Sequence, residues 1–207
     1  MSGEHTQLCG GRIQSYDHVE SISRWAAEKG LARHLDGARL FNAVVATGIS
    51  ASNWAQHFDT VSVCFSKGLG APVGSALCGS REAIDRARRH RKALGGAMRQ
   101  VGVLAAAGLY ALENNVDRLV EDHQKAQVLA KAISDADGLT LHDERVDTNI
   151  INFDVSEDLG TAEQFCQRLL EQGVRMLPTK RHFVRAVTHL DVSMDDIQQV
   201  AKLICKV

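Results

Sequence analysis

Proline is nearly absent from the chain. Pro72 and Pro178 are the only two, so little interrupts regular structure and long elements are expected. An excess of one charge is missing as well. The 24 basic and 25 acidic residues leave a formal net charge of -1, which excludes the basic surplus that draws general nucleic-acid and membrane-surface binders to polyanions. No apolar run approaches the roughly 18 residues of a membrane span. The first stretch, Met1 to Gly11, lacks the apolar segment of a signal peptide. There is no CxxC pair, and the five cysteines (Cys9, Cys64, Cys78, Cys166 and Cys205) are odd in number and widely spaced. Free thiols in a reducing compartment are therefore expected rather than a disulfide framework. Cys64 and Cys78 sit in apolar runs and are expected to pack as small buried hydrophobes. These absences fit a soluble intracellular protein, cytoplasmic by default.

What is present is an ordinary globular mixture. The 207 residues are 44% hydrophobic and 24% charged, enough to bury one good core or two small ones. Asp17-His18-Val19-Glu20 reads as a capping box that opens a helix to about Lys29, closed by Gly30. Leu31 to Leu35 reads as a short strand ending on Asp36, with a helix from Ala38 to Thr47 stopped at Gly48. Ser50 caps a short helix near Trp54. Val61 to Phe65 is β-branched and apolar, as a buried strand requires. It runs into Ser66, Lys67 and a glycine-rich turn, after which Val73 to Cys78 reads as a strand paired antiparallel with it. Three helices follow, from Ser80 to Leu94, Met98 to Glu113 and Val116 to Ser134. Beyond Gly138, strands are expected at Asn149 to Val155, Val174 to Leu177 and Val184 to Val187. Thr161 opens a helix between the first two of these, and Ser193 opens the last helix. Alternating strands and helices in the first half predict an α/β layer with a mostly parallel sheet, and the second half predicts a small α+β domain.

Two residues invite chemistry. Asp36 ends one strand, where ligands bind in an open α/β sheet. Lys67 follows an apolar strand, and burial there favours the neutral amine that a Schiff base requires. Gly68, Gly70 and Gly74 allow the backbone close to a bulky ligand. Taken singly, each of these signals favours a plainer reading: a surface turn and ion pair for Asp36 and Arg39, a solvated loop residue for Lys67. The basic run Arg86 to Arg91 reads as a solvated helix face, His34 as a packed strand residue, and His189 as either packing or function.

The full strings go further. His34-Leu35-Asp36-Gly37-Ala38-Arg39-Leu40-Phe41-Asn42-Ala43 is followed by Ser66-Lys67-Gly68-Leu69-Gly70-Ala71-Pro72-Val73-Gly74. Then come Arg91-Lys92-Ala93-Leu94-Gly95-Gly96-Ala97-Met98-Arg99-Gln100, Thr148-Asn149 and Val187-Thr188-His189-Leu190-Asp191-Val192-Ser193. Together they resemble the low-specificity threonine aldolases, which cleave L-threonine or L-allo-threonine and depend on pyridoxal 5'-phosphate (PLP). The resemblance runs from about Gly10 to the end. It implies PLP-dependent transferase fold type I (aspartate aminotransferase-like), with a partial large domain over 1-122 and a carboxy-terminal small domain over 123-207.

By that resemblance Lys67 would hold PLP covalently, and Asp36 would pair with its pyridine nitrogen. Arg99 would lie near its phosphate. Arg39 and Arg185 would hold the substrate carboxylate, with Lys92 at the rim of the site. Lys92 and Arg99 would serve a neighbouring subunit of a homodimer or homotetramer. The reaction implied is carbon-carbon cleavage of threonine to acetaldehyde and glycine, with no metal.

In the family a long amino-terminal portion supplies the phosphate loop, a ring-stacking histidine and several strands. Here only Met1 to Cys9 precede the match, so weak or absent turnover is expected of this chain by itself. His5 to Cys9 departs from the family's pattern, as does Ala97, which stands where a third glycine is common. Two other readings remain. One is a non-catalytic truncated isoform or pseudogene product that acts only as a partner of related full-length subunits. The other is a β-eliminating lyase or aminotransferase, against which the pairing of Asp36-Gly37-Ala38-Arg39 with Ser66-Lys67-Gly68 argues.

Overall fold

The structure, a computed structural model, describes residues 2-4, 10-143 and 145-206. The divergent stretch His5 to Cys9 lies outside the described residues. The chain divides into two units, one formed by 2-4 with 13-119 and the other by 10-12 with 120-206.

The amino-terminal unit is built on a four-stranded sheet in the order β1 (Ser2–Glu4), β2 (His34–Gly37), β3 (Thr60–Cys64), β4 (Ser75–Gly79). The first three strands are parallel and β4 runs antiparallel to β3. Leu35, Val61 and Val63 alternate onto one face, as the period of two in a strand demands. There they form a core with Leu40 and Trp54, which is fully buried. Tyr16 packs edge-on to Trp54 with ring centroids 5.1 Å apart.

Helix α1 (Tyr16–Glu28) is capped by Ser15, whose hydroxyl accepts from the His18 amide, rather than by Asp17. Asp17 instead sits in the first turn, where its charge suits the helix dipole. Strand β2 starts at His34 rather than Leu31, because the Leu31 amide still donates to Ala26 O and closes the helix. Helices α2 (Leu40–Thr47) and α3 (Ala51–Ala55) follow the expected order, with Gly48 left-handed at φ 71° and Ser50 capping.

Helix α4 (Arg81–Ala93) buries none of its residues, so its basic run is solvated as read. Helix α5 (Gly102–Asn114) begins later than Met98. The delay follows a turn in which Gln100 takes φ 54°, which a helix cannot continue. Cys78 is exposed rather than buried. In the described sheet β4 has a neighbour on one side only, and the apolar residues Leu77 and Cys78 have no layer over them.

The carboxy-terminal unit carries an antiparallel sheet in the order β5 (Leu139–Leu141), β6 (Ile150–Val155), β8 (Phe183–Val187), β7 (Leu177–Lys180). Helices α6 (Leu119–Asp135), α7 (Ala162–Glu171) and α8 (Met194–Ile204) bury their apolar stripes against one face. Ile151, Phe153, Val155, Val184 and Ala186 meet Leu129, Ile133, Phe165, Leu169 and Ile197 there. Both expected caps form complete capping boxes, Thr161 with Gln164 and Ser193 with Asp196. Strand β7 lies later than Val174, whose amide still bonds Leu169 O at the end of α7. As an edge strand β7 tolerates Pro178, which has no amide to donate.

Burial holds the His123 imidazole on α6 below its ordinary value of 6.5, and the neighbouring Asp122 charge offsets this in part. The native state therefore resists a proton that the unfolded chain accepts. Stability is full above the unfolded value and falls as pH drops through and below it. His123→Gln is expected to flatten the melting temperature against pH below about 6.5. An unchanged slope would contradict that origin.

Candidate active site

The strand β3 is β-branched and apolar at alternate positions, and it delivers Lys67 three residues beyond its last residue, Cys64. The chain then turns back. Gly70 N donates to Lys67 O at 2.8 Å, Ala71 N to Phe65 O at 3.0 Å, and Phe65 N to Gly74 O at 2.9 Å. Gly70 lies at φ 73°, a conformation that costs an L side chain and leaves glycine unstrained.

The turn is anchored from below. Leu69 and Ala71 bury against Ala111 and Leu119, and Asn115 Nδ2 donates to Leu69 O at 2.8 Å. Gly68 fits a tight gap, since a Cβ there would lie 2.8 Å from Leu119 Cδ2 and 3.6 Å from Asn42 Oδ1. That approach brings the Lys67 turn beside α2, the helix that Arg39 opens.

Asp36 occupies the neighbouring strand. It pairs in register with Ser62, on the face of the sheet opposite Leu35 and Val61. The Ala38 amide donates to Asp36 Oδ1 at 3.1 Å, which leaves the other carboxylate oxygen for a further donor. Because β2 and β3 are parallel, Asp36 and Lys67 leave the sheet at the same carboxyl end, the usual ligand side of such sheets. Arg39 is nearly buried, 7% exposed, at the start of α2. Asp36, Arg39 and Lys67 are thus gathered by two adjacent strand ends.

The other expected residues stand elsewhere. The Lys92 and Arg99 side chains are exposed, on α4 and the turn after it. Neither enters an ion pair or hydrogen bond among the described residues. Arg185 belongs to the carboxy-terminal unit, on β8 opposite Asn152. Its Nε is buried without a hydrogen-bond partner among the described residues. His34 is a packed strand residue, its Nδ1 2.8 Å from Thr60 Oγ1. His189 accepts from the Asp191 amide at 3.2 Å and shapes its own turn. Cys64 is half-buried, with Sγ 3.4 Å from Ser66 Oγ. Burial raises the Cys166 thiol to about 11, which keeps it protonated and inert. Among the described residues, no group of His, Cys, Asp and Glu could hold a metal ion.

Two features escaped the sequence reading. Asp122 and Lys125 form a buried ion pair on α6, with Nζ to Oδ1 at 3.3 Å. Their i, i+3 spacing was a usable signal, but a solvated pair has the same spacing. Asn152 is the second, for it reads as a plain outward-facing strand residue.

A family model described as beta-eliminating lyase matches residues 3–156. The chain belongs to the beta-eliminating lyase family. Among relatives in that family, a low-specificity L-threonine aldolase of Escherichia coli K12 is 42% identical over 201 residues, covering 97% of this chain and 58% of its own length. Low-specificity L-threonine aldolase 1 of Arabidopsis thaliana is 40% identical over 189 residues, with 91% and 53% covered.

The chain therefore spans about half the length of the curated relatives it matches. A solved threonine aldolase of Leishmania major superposes with a TM-score of 0.81 at 19% identity, covering 99% of this chain and 60% of that one. An ornithine delta-aminotransferase of Plasmodium falciparum gives 0.69 at 13% identity, with 99% and 55% covered. Those likenesses show the fold: the lyase-family chain has a mixed α/β architecture of fold type I, shared with solved threonine aldolases and aminotransferases.

Proposed function

We propose that this lyase acts on β-hydroxy-α-amino acids, cleaving L-threonine or L-allo-threonine to glycine and acetaldehyde with PLP held on Lys67. The observation that carries the reading is a carboxylate, Asp36, and an amine, Lys67, at the same end of two adjacent parallel strands. The relatives' names, low-specificity L-threonine aldolases, support the choice of substrate.

The residues present suit the cofactor. Lys67 opens a turn that Leu69, Ala71 and Asn115 hold in place. Asp36 has one oxygen occupied by the Ala38 amide and the other available to a ring N–H. Bound there, PLP supplies an electron sink for the pair left on Cα when the Cα–Cβ bond breaks.

Lys67 Nζ would hold the cofactor's aldehyde carbon. Asp36 would keep the proton on its pyridine nitrogen. Arg39 and Arg185 would hold the substrate carboxylate, work for which the planar guanidinium fork is suited. Arg99 is assigned to the phosphate and Lys92 to the rim, each serving a neighbouring subunit, which agrees with their exposure in one chain. On this reading residues 1-122 form the partial cofactor-binding domain and 123-207 the small domain. The protein is a cytoplasmic homodimer or homotetramer contributing to threonine catabolism and glycine formation.

Incubated with PLP and L-threonine, the chain by itself is expected to turn over weakly or not at all, and whatever acetaldehyde and glycine it releases should appear in equal amounts. Formation of 2-oxobutyrate and ammonia instead would replace aldol cleavage with elimination.

A further inference from the structure

We propose that Asn152 is the positioning residue for Arg185: its amide oxygen accepts the Arg185 Nε–H and so fixes which edge of the guanidinium meets a small carboxylate. The inference deepens the assignment of Arg185 to the substrate carboxylate and rests on that reading.

The two residues are paired directly across β6 and β8. Both lie on the sheet face away from the helices, since their neighbours Ile151, Phe153, Val184 and Ala186 fill the core on the other side. Asn152 Oδ1 is buried and accepts no hydrogen bond among the described residues, and Arg185 Nε is buried and donates none. One orphan is an acceptor and the other a donor. Opposed residues of antiparallel strands have Cβ atoms about 4.5–5.5 Å apart, a gap that small side-chain rotations close. Buried polar atoms are rarely left unpaired, because burial has already cost them water.

The surroundings favour this pairing over its rivals. The backbone at Gly10 packs on the other end of the amide, where a Cβ would lie 2.6 Å from Asn152 Nδ2. Carboxylates of the same unit are engaged elsewhere. Asp143 and Asp147 hold Arg12 at 3.6 and 3.1 Å, and Asp154 lies 3.0 Å from His142 Nδ1. With Nε–H held by Asn152, the two terminal nitrogens form the edge presented to a carboxylate, and bidentate capture depends on which edge is offered. The ligand class is the carboxylate of a small α-amino acid.

The test is a nitrogen-15 spectrum of the arginine Nε–H groups in the full chain, with the Arg185 signal assigned by its loss in Arg185→Lys. Its exchange with water is expected to be at least about tenfold slower than that of the exposed Arg88. Asn152→Leu should remove the protection and raise the dissociation constant for glycine about fivefold, and Asn152→Asp should restore both. An Arg185 Nε–H that exchanges as fast as that of Arg88 in the unaltered protein overturns the proposal without any variant. Protection that survives in Asn152→Leu overturns it as well. If Asn152→Leu removes the protection but Arg185→Lys leaves glycine affinity unchanged, the pairing stands and the substrate role of Arg185 falls.

Discussion

Replacing Lys67 by alanine is expected to remove threonine cleavage by at least about a thousandfold while leaving the fold intact. The two effects separate because of where the lysine sits. Its turn is held by Leu69, Ala71 and the Asn115 side chain. Lys67 is half-buried at the turn's start, so trimming it opens no core cavity, and the melting temperature should move by no more than a few degrees. Lys67→Arg is the sharper variant. It keeps a positive charge at the same place, yet a guanidinium stays protonated and cannot act as a neutral amine. Both variants are expected to be equally inactive, as measured by acetaldehyde release in protein whose unaltered form turns over threonine. Activity retained in Lys67→Arg would mean that charge, and not covalent capture, is what position 67 supplies.

The largest stability effect is expected at Asp122, far from any role in the reaction. Asp122 is fully buried and faces Lys125, whose Nζ lies 3.3 Å from Oδ1 and 3.4 Å from the His189 carbonyl. The Thr188 hydroxyl also donates to the Asp122 carbonyl at 2.6 Å, which ties α6 to the end of β8. Asp122→Leu would leave a buried ammonium with, among the described residues, only the His189 carbonyl for company. Breaking one side of a buried pair typically costs about 3–5 kcal/mol, equivalent to a fall on the order of 10 °C in melting temperature for a chain of this size. Replacing both residues, Asp122→Leu with Lys125→Met, removes the orphaned charge and should recover most of the loss. Calorimetry on the two singles and the double measures the coupling. A double variant as unstable as the worse single would contradict a charge-burial origin.

The turn that carries Lys67 was legible because every signal agreed: β-branched residues in β3, then glycines where the chain must reverse, then an apolar β4. The capping boxes at Thr161 and Ser193 were legible for the same reason, since side chain and helix register lie within four residues of each other. Asp36 and Lys67 could each be read as a strand-end residue, but their nearness depends on β2 and β3 pairing in parallel. Periodicity cannot reveal that pairing. Cys78 misled, because an apolar run says nothing of whether another layer covers it. The three-residue strands β1 and β5 are too short to show a period at all. Asn152 was invisible for a deeper reason: alternation marks it as polar and outward, and only its cross-strand partner Arg185 gives the amide a task.

The central claim is that Lys67 is the residue that holds the cofactor, and chemical trapping tests it most directly. The purified chain would be titrated with PLP, reduced with borohydride, digested and mapped by mass. A pyridoxyl group on the peptide containing Lys67, absent from Lys67→Ala and from peptides carrying Lys92 or Lys125, is the result expected. A folded sample with no adduct, or with the label spread over other lysines while Lys67 stays unmodified, would contradict the account.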